Sequence, residues 1–268
     1  PADWTLPQLP QVVATPHLAA STEEAQELVG LDTVATVLEY LRDGMVRNAV
    51  NFPSVRPEEL QRLQPWMRLS EQLGSVVAQM GPARVEGVSV RYYGTLTETR
   101  TDILASSAAV GVLRPILSDG ISVVNARAVA ADRHIELAET RSSRSRQYAA
   151  LLSVKLHTPD GERWVEGTVI SQGGARLASV RGIAIDAPLH GTMIILTNDD
   201  QPGVIGEVGT RLGRHGINIA NFALGRDHGG AIGVINVDEG ETAPAALEAA
   251  VADLRQASAV REAWLIRL

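Results

Sequence analysis

The chain has 268 residues, 45% of them hydrophobic and 24 of them glycine, which is enough for two or three domains with cores of their own. Its 24 Lys and Arg against 31 Asp and Glu give a net charge of −7, which argues against a general partnership with nucleic acid or an acidic membrane surface. Zero cysteines exclude disulfides, thiolate nucleophiles and cysteine-bound clusters, and they suit a reducing cytoplasm. No apolar stretch approaches the roughly 20 residues that cross a bilayer, and no basic segment followed by an apolar one opens the chain. A soluble cytoplasmic protein without a metal site is expected. The chain begins with Pro1 rather than methionine and its opening reads as the middle of a domain, so a fragment or a processed start is expected.

Residues 11–15 read as a short buried strand from their β-branched content, and Pro16 and His17 leave it. Ser21 then caps a helix, with Glu24 three residues later completing a capping box. Ala25, Leu28, Val29, Val34, Val37, Leu38 and Leu41 follow the helical period up to Gly44, giving one amphipathic helix of about six turns. His17 falls in the loop at the carboxyl end of the strand, where open α/β sheets bind ligands. An imidazole there is either a proton donor and acceptor near neutrality or a solvated loop residue.

The run VVATPHLAASTEEAQ and the later NAVNFP resemble the D-2-hydroxyacid dehydrogenases of the phosphoglycerate dehydrogenase branch. That resemblance implies that His17 is the acid/base that exchanges a proton with the substrate oxygen as hydride passes to or from NAD. It also implies that the carboxylate partner of this histidine, the catalytic arginine and the Gly-rich dinucleotide loop lie upstream of Pro1. No GxGxxG unit occurs in the chain, so it is not expected to hold NAD in the family's manner. Ala19 stands where the family commonly has glycine.

Residues 56–81 look helical, with Leu60, Leu63, Trp66, Met67, Leu69, Leu73, Val76 and Val77 on the apolar face. Trp66 and Met67 read as core rather than as ligand contacts. Residues 85–94 alternate as a half-buried strand, 98–117 read as a helix, Asn125 opens a further segment and 135–139 look like strand. The polar run 140–146 reads as a surface loop in which Arg141, Arg144 and Arg146 either bind phosphate or lie solvated. Residues 148–157 and 163–170 form a hairpin around Pro159-Asp160-Gly161. Residues 173–185 continue as a turn and strands, with Arg176 and Arg181 as a second anion candidate. The runs VNARAVAADRHIELAETRSS and VEGTVISQGGARLASVRGIAIDAPLHG resemble the allosteric substrate-binding domain between the catalytic and ACT domains of long-form phosphoglycerate dehydrogenases. This implies a place for a phosphate effector, although His134 and Arg181 stand where such sequences often carry other residues.

The last segment carries the densest signal. Met193, Ile194, Ile195 and Leu196 form a buried strand that Asn198, Asp199 and Asp200 stop. Pro202 suits the first position of a helix running to Arg214 and ending before Gly216. Gly203, Gly206, Gly209 and Gly213 lie near one face of it, each costing up to about 1 kcal/mol against alanine, which suggests close approach by a backbone or a ligand. The helix N-terminus suits a carboxylate, Asp200 an ammonium group, and Asn218, opening the next strand, either end of a zwitterion. The ordinary reading is that Asp200 favours the helix dipole and that Asn218 follows a turn.

After a turn at 227–230, a strand at 231–237, a helix over 243–256 and a strand over 260–268 complete a βαββαβ order. NDDQPGVIGEVG and GINIANFALGR resemble ACT domains, which bind amino-acid effectors and pair sheet edge to sheet edge. The resemblance implies that Asp200 and Asn218 hold the effector, often from two subunits, and Asn198 and Gly203 beside them complete the expected effector site. The expected fold is α/β (α+β): a remnant of a catalytic α/β core with a long crossing helix over 1–55, a mixed α/β intervening domain over 56–190, and a ferredoxin-like ACT domain over 191–268. Together the resemblances imply a homo-oligomer, dimer or tetramer, of an NAD-dependent enzyme that oxidises 3-phosphoglycerate and is restrained by L-serine or another small amino acid. A non-catalytic amino-acid sensor and the regulatory chain of a serine dehydratase are the alternatives.

Overall fold

The computed structural model describes residues 5–43, 46, 47, 49, 50, 57–81, 84–117, 120–144, 146–170, 174–227, 230–238 and 244–268. Asn48 and residues 51–53 of the NAVNFP run, Ser145, Gly173, His228, Gly229 and Ala243 therefore lie outside the described residues. The chain divides into two compact units, Pro1–Val55 and Arg56–Leu268.

In the first unit, α1 (Glu23–Asp43) is the long helix expected there. Its cap is Thr22 rather than Ser21: Thr22 Oγ1 accepts from the Ala25 N–H at 3.1 Å, one residue beyond the expected capping box. Residues 11–15 form no strand, and Val13 is 91% exposed. β-branched residues make a strand only where another strand takes up their backbone hydrogen bonds, and none lies among the described residues of this unit. His17 is correspondingly not at the end of a strand but in an exposed bend, at φ 65. No residue of α1 is buried, so its apolar stripe through Leu28, Val34, Val37, Leu38 and Leu41 is left exposed.

The second unit opens with α2 (Pro57–Gln79), followed by β1 (Gly87–Gly94), a 3₁₀ turn over Thr95–Glu98 and α3 (Thr101–Leu113). The expected helix over 98–117 is thus shorter, its start taken by the 3₁₀ turn. Then come α4 (Ala126–Asp132), β2 (Glu136–Ser142), β3 (Ala150–Thr158), β4 (Gly161–Val169), β5 (Ala175–Val180) and β6 (Ile183–Pro188). The sheet order is β2-β1-β3-β4-β5-β6, with β1 and β2 parallel and the other pairs antiparallel. Thr140, Arg141 and Ser142, expected in a loop, extend β2 because their partners Arg91, Tyr92 and Tyr93 carry the ladder that far. The apolar face of α2 lies on β3 and β4 and crosses α3 closely, where a Cβ at Gly111 would fall 1.9 Å from Glu71 O.

β7 (Thr192–Asn198), α5 (Val204–Arg214), β8 (Ile219–Asp227), β9 (Gly230–Val237), α6 (Pro244–Leu254) and β10 (Val260–Arg267) form the expected βαββαβ unit, with order β10-β7-β9-β8, all antiparallel. One face of this sheet carries α5 and α6 over Ile194, Leu196, Ile235 and Val237. The other face, Met193, Ile195, Ile232, Val234, Trp264 and Ile266, belongs to the same buried cluster as Leu69, Leu73, Val76 and Val77 of α2. Two sheets therefore share one core. Polar contacts stitch them: Asn236 Nδ2 donates to Pro188 O and His190 O at 3.1 and 3.3 Å, and Gln79 bonds both N and O of Arg267. Gly225 of β8 lets β6 approach, since a Cβ there would fall 2.3 Å from Ala184 O. Among the described residues, no helix is long and apolar enough to cross a membrane.

Candidate functional site

The β7–α5 loop and the outer strand β8 enclose a cleft of about 330 Å³. Side chains two apart on a strand share a face. Leu196 and Asn198 of β7 and Phe222, Leu224 and Arg226 of β8 therefore line the cleft together. Between them in register stand the buried Ala231 and Gly233 of β9, and Leu196 and Phe222 close over Gly233. A Cβ at Gly233 would come within 3.1 Å of both Leu196 and Phe222.

Asn198 is 3% exposed; its Nδ2 donates to Asp199 O at 2.8 Å, and its buried Oδ1 has no hydrogen-bond partner among the described residues. A buried acceptor left that way costs about 1–3 kcal/mol. The two aspartates that follow have different employment. Asp199 accepts from Arg261 Nη2 and Nε at 2.5 and 2.7 Å, whereas Asp200 lines the cleft with Arg226 Nε 3.8 Å from its Oδ1.

α5 begins at Val204, two residues after the Pro202 that the sequence suggested as its first position. Gly203 is the N-cap at φ 94, a left-handed conformation that a helix cannot include and that glycine adopts at little cost. No side chain caps this helix. Val204, Ile205 and Gly206 line the cleft, so an uncapped first turn, with its N–H groups and the positive end of the helix dipole, borders it.

Asn198, Asp200 and Gly203 are thus brought together, and Asn218 is not. The 11 residues of α5 carry the chain about 16 Å from the cleft before β8 begins, so Asn218 lies at the far end of the unit. There its Nδ2 donates to Asp238 Oδ2 at 2.6 Å. The expected convergence of carboxylate, helix end and this carboxamide does not occur within one chain. The glycine face of α5 is open as well: a Cβ at Gly206, Gly209 or Gly213 would meet nothing within 4 Å, because Val204, Val208 and Leu212 turn the opposite face to the sheet. Arg226 is a further site residue, and its sequence signal is the period-two series Phe222, Leu224, Arg226, which places it on the same face as the other cleft residues of β8.

Of the other arginine candidates, Arg144 is exposed and bonds Ser142 Oγ only through its backbone N–H, and the rest hold protein groups. Arg141 Nη2 donates to Thr101 Oγ1 at 2.7 Å, and Arg146 donates to the Tyr93 hydroxyl at 3.2 Å while covering its ring at 4.8 Å. Arg176 pairs with Asp186 at 2.7 Å. Arg181 pairs with Glu262 and lies over the Trp264 ring at 4.9 Å, which ties the first sheet to β10. Among the described residues, no group of three or more histidines and carboxylates is placed to hold a metal ion. His17 sits in the other unit, exposed, with no hydrogen bond or ion pair among the described residues.

Among the described residues only β1 and β2 pair in parallel, and at the end of β1 the backbone just before β3 fills the space at Gly94: a Cβ there would fall 2.0 Å from Ala149 O. The β1 turn therefore has no room for the pyrophosphate that a Gly-rich loop admits.

Residues 62–181 match the family described as the D-3-phosphoglycerate dehydrogenase intervening domain, and residues 192–254 match the ACT domain. The D-3-phosphoglycerate dehydrogenase of Synechocystis sp. is 32% identical over 266 residues, 98% of this chain and 47% of that protein. The enzyme of the same name from Methanocaldococcus jannaschii is 32% identical over 268 residues, covering 100% of this chain and 50% of that protein. The Bacillus subtilis enzyme is 34% identical over 230 residues, 86% and 44% of the two chains. The chain spans about half the length of the curated relatives it matches. Through both domains, and by identity along nearly its whole length, the chain corresponds to the part of D-3-phosphoglycerate dehydrogenases that carries the intervening and ACT domains.

Proposed function

We propose that this chain is the regulatory part of a cytoplasmic, NAD-dependent D-3-phosphoglycerate dehydrogenase, an enzyme that oxidises 3-phosphoglycerate to 3-phosphohydroxypyruvate on the way to L-serine. Residues 1–55 end the catalytic core, residues 56–190 are the intervening domain and residues 191–268 the ACT domain. L-serine or another small amino acid binds the ACT domain and restrains catalysis, a coupling of two sites. The observation that carries this reading is the cleft at the uncapped start of α5, where Asp200 and the unsatisfied Oδ1 of Asn198 suit an ammonium group and the helix end suits a carboxylate. Asn218 would reach such a ligand from a second copy paired at the β8 edge.

His17 would be the acid/base of the catalytic core. The exposed apolar stripe of α1 supports that view, because a helix with such a face needs protein against it. NAD would be held by parts of the enzyme other than those described here. A separate amino-acid sensor, or the regulatory chain of a serine dehydratase, is not favoured, since the relatives named above are phosphoglycerate dehydrogenases.

Two measurements test the reading. Calorimetric titration of this chain with L-serine should give binding heat, and Asp200→Ala should weaken it by at least about ten-fold, the loss expected of a charge-assisted hydrogen bond. No heat from the wild type sinks the effector reading. The purified chain should form no NADH from 3-phosphoglycerate and NAD; turnover would overturn the division of labour.

A further inference from the structure

The cleft contains one charged group that the reading above does not use. Arg226 projects from the outer strand beside Asp200, with 3.8 Å between Nε and Oδ1 and side-chain exposures of 63% and 43%. The neighbouring pair, Asp199 with Arg261, closes to 2.5 Å on the same loop. An exposed, long ion pair contributes little to stability, so the Asp200–Arg226 pair is readily exchanged for better partners.

Register places the strands that carry Asn198 and Arg226 on opposite walls, with Asp200 on the loop that follows Asn198. Asn198, Ala231 and Arg226 lie in one row across β7, β9 and β8, so the outer members stand two strand spacings apart, about 10 Å. Between them lies the buried Ala231 of β9, and Leu196, Phe222 and Leu224 line the cleft beside the row. On the β7 side are a carboxylate and a buried, unpartnered acceptor, Asp200 and Asn198 Oδ1. On the β8 side is a guanidinium, whose planar fork matches a carboxylate with two parallel hydrogen bonds.

We propose that Asp200 and Arg226 are the two charged ends of a zwitterion site: a bound amino acid parts the ion pair, its ammonium going to Asp200 and Asn198 Oδ1 and its α-carboxylate to Arg226. The first turn of α5 adds N–H donors to the same carboxylate, and Leu196, Phe222 and Leu224 form the wall against which its side chain lies. Arg226 is then the residue that selects α-amino acids over simple amines. This inference rests on the amino-acid-binding reading of the cleft.

The test compares L-serine with L-serinamide, which keeps the ammonium and lacks the carboxylate, by calorimetry on the wild type, Arg226→Ala and Arg226→Lys. The wild type should bind L-serine at least about ten-fold more tightly than L-serinamide. Arg226→Ala should lose that preference by weakening L-serine while leaving L-serinamide as tight or tighter, because Asp200 is freed. Arg226→Lys should recover part of the preference. If the wild type binds L-serine and Arg226→Ala binds it equally well, or weakens both ligands alike, this inference fails alone. If the wild type binds no L-serine, the effector reading fails with it. Thermal melts of the variants, expected to match the wild type for so exposed a residue, separate misfolding from lost contacts.

Discussion

Tyr92 shows how one residue couples the core to the pH of the solution. Its buried hydroxyl lies 2.9 Å from Thr101 O and 3.0 Å from Glu139 Oε2 and donates to them, and Arg127 pairs with the same Glu139. Burial, reinforced by the Glu139 charge, pushes its pKa far above the ordinary tyrosine value. A group whose folded pKa is raised stabilises the fold below its unfolded pKa and withdraws that stability as pH climbs beyond it. Stability should therefore fall once pH passes about 10, and Tyr92→Phe should flatten that limb while costing about 1–3 kcal/mol at neutral pH through the unsatisfied acceptors. Urea melts between neutral and strongly alkaline pH would show both; an alkaline limb identical in the variant would refute the assignment. None of this was legible in the sequence, where Tyr92 was one residue of an alternating strand. The Asp200 and Asn198 positions were legible because a strand stop, a proline and a helix leave few places for a carboxylate. Arg226 showed only as the outer member of a period-two series, because its use depends on β8 standing across β9 from β7.

Glycines mark the difference at the scale of elements. The four on α5 stood out by spacing and suggested close approach, yet Gly206, Gly209 and Gly213 face open space. The close approaches lie elsewhere, at Gly74 and Gly111 where α2 crosses α3, and at Gly225 where β8 meets β6. A missing Cβ is visible in a sequence, but the backbone that fills its place is not. At Gly111 that backbone is the Glu71 carbonyl at 1.9 Å, which cannot swing aside as a side chain can. Gly111→Ala should therefore destabilise the second unit by about 1–3 kcal/mol or more, read as a lowered urea midpoint; an unchanged midpoint would mean that the crossing yields. Helices and strands with buried partners followed their periods closely, α2 and the β3–β4 hairpin among them. Residues 11–15 did not, because a strand exists only as part of a ladder.

The whole molecule consists of a unit with a shared two-sheet core and a unit whose helix buries nothing. A polypeptide of residues 56–268 should therefore melt at the same temperature as the full chain, followed by the fluorescence of Trp66, Trp164 and Trp264. A midpoint lower by more than about 4 °C would show that the first unit contributes more than about 1 kcal/mol. The sequence by itself determined the α+β class, the βαββαβ order and the location of a charged loop before a glycine-led helix, because periodicity, turn residues and capping chemistry are local. Only the tertiary structure decided that Asn218 lies a helix length from Asp200, that Arg226 faces Asp200, and that one face of the ACT sheet shares a buried core with α2. Those facts depend on which strands become neighbours, a choice made by the burial of apolar faces across the whole fold rather than by any short run of residues.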